Sequence, residues 1–83
     1  MKNLIVLAAL AFATPVFANT VEMGMVLGTS MQDVKLQLVE MGYEVRKSEM
    51  ENGAIEVYFV KGNQRGEVYV STQTGKVTRL KIK

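Results

Sequence analysis

The stretch Gly53-Ala-Ile-Glu-Val-Tyr-Phe-Val-Lys-Gly-Asn-Gln-Arg-Gly-Glu-Val-Tyr-Val-Ser-Thr-Gln-Thr-Gly-Lys-Val77 decides the fold. Two runs rich in β-branched and aromatic residues, Ile55–Val60 and Glu67–Val70, flank the turn-forming cluster Lys61-Gly62-Asn63-Gln64-Arg65-Gly66. A second cluster, Thr72-Gln73-Thr74-Gly75, follows. Such runs bounded by Gly and Asn read as strands joined by hairpins. A loop of Gly62 to Arg65 pairs Val57 with Val70, Phe59 with Val68 and Tyr58 with Tyr69. Ile55, Val57 and Phe59 then share one face, and the other carries a cross-strand tyrosine pair.

Upstream, Tyr43 to Met50 is a mixed strand, and Glu51-Asn52-Gly53 turns the chain. Two registers compete. A two-residue Asn52-Gly53 turn pairs Val45 with Val60 and puts Tyr43 and Val45 opposite Val57 and Phe59, because a one-residue slip exchanges the faces of a strand. A three-residue turn with Gly53 in a bulge pairs Val45 with Phe59 and keeps the apolar residues together, and the pattern prefers it. Before that strand, Met31, Val34, Leu38 and Met41 recur at helical spacing, with Gly42 as the stop. Either Thr29, with Gln32 completing a capping box, or Ser30, with Asp33 in the first turn, starts the helix. Leu36 and Val39 lie off the stripe, so the N-terminal segment is expected to cover that flank. Downstream, Val77 to Ile82 is a basic edge strand with Leu80 and Ile82 inward and Arg79 and Lys81 outward. The fold class is therefore α+β, with one helix on one face of a three- to four-stranded antiparallel meander.

The chain begins Met1-Lys2-Asn3, and Leu4 to Phe12 is almost wholly apolar before Thr14-Pro15. A positive start, a short apolar run and small residues at the exit read as a secretory signal peptide over residues 1–18, cleaved after Ala18. A membrane span needs roughly 20 apolar residues, and this run stops short. Export to the periplasm or the medium is the expected localisation, with no stable membrane span after cleavage. Residues 19–28 are expected to form a tether and residues 29–83 the domain. Met23-Gly24-Met25 has soft sulfur atoms suited to Cu(I), but methionine more often fills apolar gaps.

The 83 residues include no Cys, His or Trp. A domain this small buries only about 60% of its unfolded surface, so without disulfides its core, caps and turns must suffice. The residues after Ala18 carry nine basic and eight acidic side chains, and the two signs alternate. Nucleic-acid binding calls for cations clustered on one face, so no nucleic-acid partner is expected. The commonest nucleophile, base and zinc ligands are missing, and Ser30, Ser48 and Ser71 have no evident base. The expectation is a protein that is not an enzyme and holds no cofactor or metal. Tyr58 and Tyr69 with Val60, Glu56, Glu67 and Arg79 form the candidate protein-contact set, since Tyr and Arg are enriched at binding hot spots. The plainer reading is that tyrosines on an exposed strand stabilise the sheet.

Gly42-Tyr43-Glu44-Val45, Gly53-Ala54-Ile55-Glu56-Val57, Arg65-Gly66-Glu67-Val68-Tyr69-Val70 and Thr74-Gly75-Lys76-Val77 together resemble the PepSY domain. The resemblance covers roughly Ser30 to Ile82, and its motifs are mainly strand and turn chemistry. Two positions depart from the pattern: Ile55 stands where Tyr is usual, and Ser71 where Asp is usual. The family occurs in propeptides of thermolysin-like metallopeptidases and as small exported proteins. The resemblance implies a non-catalytic binding module that inhibits or regulates an exported peptidase. A monomer or weak homodimer is expected. The alternative is a structural or sensory envelope protein that binds another ligand or itself.

Overall fold

The structure, a computed structural model, describes residues 20–83. The expected signal peptide and its cleavage point lie outside the described residues. One helix, α1 (Met31–Glu40), precedes four strands: β1 (Glu44–Glu51), β2 (Ala54–Lys61), β3 (Gln64–Ser71) and β4 (Val77–Ile82). The strands form an antiparallel meander in the order β1-β2-β3-β4, and α1 packs over β1 and β2. This is the α+β layer pair that the periodicity implies.

Ser30 is the N-cap of α1, its Oγ accepting from the Asp33 N–H at 3.1 Å. The other end closes as a Schellman motif: Gly42 N–H donates to the Val39 carbonyl and Tyr43 N–H to that of Leu38. Gly42 has φ 94°, which a residue with a Cβ adopts only at a cost. The Lys61 ammonium adds a bond to the Met41 carbonyl at 3.0 Å, a cation at the negative end of the helix dipole. Val34, Leu38 and Met41 are buried, as the stripe requires. Leu36 and Val39 are each 54% exposed, so the flank expected to be covered is open.

The first hairpin corrects the preferred register. Glu51 faces Ala54 and Met50 faces Ile55 across a two-residue turn, with Asn52 at φ 51° and Gly53 at φ 79°. Positive φ at both central residues is the type I′ geometry that Asn-Gly favours. Val45 still faces Phe59, because the register shifts between Val45 and Lys47, leaving Arg46 as an extra residue in β1. The bulge that reconciles turn with core lies inside the strand, not at Gly53.

In the second hairpin the loop is Gly62-Asn63 alone, and Lys61 faces Gln64. Val57 therefore faces Val68, Phe59 faces Gly66, Glu56 faces Tyr69 and Tyr58 faces Glu67. The offset from the expected register is even, so every side chain keeps its face and only its partner changes. Tyr58 and Tyr69 are diagonal neighbours, not a direct pair. In β4, Val77 is buried and Leu80 packs partly against the core, while Ile82, expected inward, is 46% exposed.

The core joins Val34 and Leu38 of the helix and Met41 at its C-cap to Ile55, Val57, Phe59, Val68, Val70 and Val77 of the sheet, with Tyr43 edge-on to Phe59 at 4.7 Å. Val21 and Leu27 belong to it too. Residues 20–28, expected to be a tether, are thus docked on the domain: Val21 N–H donates to Tyr43 Oη, Gly24 N–H to the Val77 carbonyl and Leu27 N–H to the Gly75 carbonyl. Val26 pairs antiparallel with Lys76. The segment has no clear period because it is not regular structure, yet two of its apolar side chains complete the core.

Candidate functional site

The helix and the N-terminal segment lie on one side of the sheet, and no described element covers the other. On that open face Tyr69 Oη lies 2.9 Å from Glu56 Oε2 and 3.2 Å from Glu67 Oε1. Glu56 and Glu67 are only 3% and 6% exposed, although they stand on the solvent side of the sheet. Long neighbours roof them. Lys47 Nζ lies 5.7 Å from the Tyr58 ring centre, Arg79 Cζ 5.3 Å from that of Tyr69, and Lys83 Nζ 3.1 Å from Glu67 Oε2. A charge this shielded needs partners, and both carboxylates have them.

The same contacts set the ionisation of the face. The Tyr69 hydroxyl, and then that of Tyr58, hold the Glu56 carboxyl below its ordinary range. In return, the hydrogen bond to Glu56 pushes the Tyr58 phenol up to about 12 and moves that of Tyr69 in the same direction. Both phenols therefore stay neutral, and the Tyr69 ring is held by its hydroxyl's two carboxylate partners. Rings held in place lose little freedom when a partner covers them.

The structure brings together five of the six candidate side chains as a network: Glu56, Glu67, Tyr58, Tyr69 and Arg79. Val60, the sixth, lies toward the Gly62-Asn63 end of the face. The two glutamates are supports beneath the rings instead of a charged ring around them. Lys47, Arg46, Arg65 and Lys83 also belong to this face and were not among the candidates. The adjacent pair Arg46-Lys47 is the trace that could have been read, since two neighbouring charges in a strand share a face only at a bulge.

Ser71 and Ile55, which depart from the usual pattern, are accounted for locally. Ser71 Oγ accepts from the Gln73 and Thr74 N–H groups at 3.1 and 3.3 Å, the acceptor role an Asp carboxylate would have. Ile55 is fully buried in the core. Among the described residues, no helix is long and apolar enough to cross a membrane. The family model described as peptidase propeptide and YPEB domain matches residues 3–81, nearly the whole chain. No curated protein and no solved structure matches it.

Proposed function

We infer the function from a family and a face: the chain belongs to the peptidase propeptide and YPEB domain family, and one side of its sheet carries Tyr58 and a hydrogen-bonded Tyr69 that no described element covers. We propose that it is an exported, non-catalytic module that binds a peptidase through this face and restrains it. Tyr58 and Tyr69 are the contact centre, Val60 and Arg79 extend it, and Glu56 and Glu67 act from below by holding the rings. The observation that carries the reading is the Tyr69 hydroxyl held between two shielded carboxylates. Solvation alone would not call for such a support, whereas an interface centre gains from one.

The test is the caseinolytic activity of a periplasmic fraction with and without added protein. Wild type is expected to lower it, and Tyr58→Ser/Tyr69→Ser to lower it less while keeping a wild-type far-UV spectrum. If a folded double variant restrains the activity as wild type does, the open face is not the contact surface. No effect of wild type at any concentration would favour the structural or sensory role instead.

A further inference from the structure

At the end of the open face nearest the Gly62-Asn63 turn, the surface forms a concavity of about 680 Å³, lined by Arg46, Tyr58, Phe59, Val60, Asn63, Arg65, Gly66 and Lys83. That size lies within the range of ligand sites, about 300–1,000 Å³. Its lining has three cations and no acidic side chain; Lys83 Nζ is already paired with Glu67 at 3.1 Å, so the two arginines carry the charge the groove offers. The bulge in β1 makes this possible. Without the extra residue, alternation would send Arg46 and Lys47 to opposite faces; with it, Arg46 reaches the groove and Lys47 still stacks on Tyr58. Arg65 comes from β3 beside the turn, and Lys83 is held there by its N–H bond to the Arg65 carbonyl.

We propose that this groove binds an acidic, extended segment of a partner protein through its carboxylates. The proposal deepens the contact-surface reading and rests on it. Charge complementarity is the main argument. Arginine presents a planar fork that fits a carboxylate with two bonds, and the groove offers two. The ion pair of Arg46 with Glu44, at 3.3 Å, joins side chains 59% and 65% exposed, so it yields readily to a better-placed carboxylate. The rest of the lining favours a peptide over a bare anion or a lipid headgroup. Phe59, Val60 and Tyr58 offer apolar surface for an intervening side chain, and Asn63 offers an amide for a backbone group.

Fluorescence polarisation with a labelled hexapeptide of alternating Glu and Leu tests this with no peptidase present, so its failure is separate from failure of peptidase restraint. Binding is expected to weaken steeply between 50 and 200 mM NaCl. Arg65→Gln and Arg46→Gln should each weaken it about fivefold, the effect of one exposed charge pair. Lys35→Gln, on the helix side, should leave it unchanged. The Gln-Leu hexapeptide should bind far more weakly. Equal binding of that hexapeptide, or indifference to both arginine changes, would overturn the proposal. So would displacement of the probe by inorganic phosphate or by phosphatidylglycerol vesicles at concentrations matching the peptide's own charge. Peptide binding that survives alongside unrestrained caseinolysis would leave the groove standing and remove the peptidase.

Discussion

Gly66 faces Phe59 on the core side of β3, and its replacement by alanine separates two accounts of the sheet. Glycine inside a strand is about 0.5–1 kcal/mol worse than alanine. If Gly66 merely left a gap, Gly66→Ala would therefore stabilise the protein. The structure gives the opposite sign. A Cβ on Gly66 would run into the Lys81 carbonyl oxygen of β4, come to 2.9 Å from Phe59 Cζ and to 3.2 Å from Ile82 Cδ1. A ring can shift, but the Lys81 oxygen is backbone, so β3 and β4 must part or tilt. Overpacking of this kind costs about 1–3 kcal/mol, which outweighs the propensity gain. A net loss of about 1–2 kcal/mol lowers Tm by roughly 5–15 °C in a domain of this length. Urea denaturation and a thermal melt measure it. A coupling test locates the clash: Phe59→Leu in the Gly66→Ala background should cost less than Phe59→Leu alone, by about 0.5 kcal/mol or more. A Gly66→Ala variant as stable as wild type, or more so, would refute the reasoning. It would mean that neither the Lys81 carbonyl nor the Phe59 ring occupies the place of the missing side chain.

Two further outcomes follow from the docked segment and from the open face. Tyr43→Phe removes the acceptor of the buried Val21 N–H, so it should cost about 1–3 kcal/mol and speed amide exchange at Val21 and Gly24 before that at Val57; unchanged exchange there would show that the segment is held without this bond. In a spectrophotometric titration Tyr58 should ionise near pH 12, and Glu56→Gln should bring it back toward 10. A phenol raised in the folded state gives stability that is complete below about pH 10 and falls as pH rises toward 12, while Glu56, held low, gives stability that is lost as pH falls below its ordinary range near 4.5. Alkaline melts that are flat from pH 9 to 12 would contradict the network.

The periodicity of the chain carries the elements and their faces, but not their partners, for a reason that the two hairpins make plain. Side chains alternate with period two, so the requirement of one apolar face fixes register only to within an even number of residues. In the β2–β3 hairpin the requirement was met by the expected register and by the true one alike. What chose between them is the two-residue Gly62-Asn63 turn, whose glycine stands at the first central position as a tight type II′ turn demands. In the β1–β2 hairpin the two kinds of signal conflicted outright. Asn52-Gly53 asked for a two-residue turn, and the apolar set of Val45 and Phe59 asked for an odd shift. Both demands were real, and the bulge at Arg46 satisfies both.

That resolution bears on function. The residue that absorbs a register conflict has its direction set by the bulge instead of by alternation, and bulges recur where a side chain must be re-aimed. Here Arg46 is delivered to the cationic groove while Lys47 stays over Tyr58. The burial of Glu56 and Glu67 was hidden for a related reason. Alternating charge on a strand reads as a solvated face, and only the cross-strand register shows that each glutamate stands opposite a tyrosine, with Arg79, Lys47 and Lys83 closing over the pairs. A conflict between turn chemistry and face chemistry in a hairpin is thus a readable signal. It marks a bulge in one strand, and the charged residue nearest the break is the one to examine for binding.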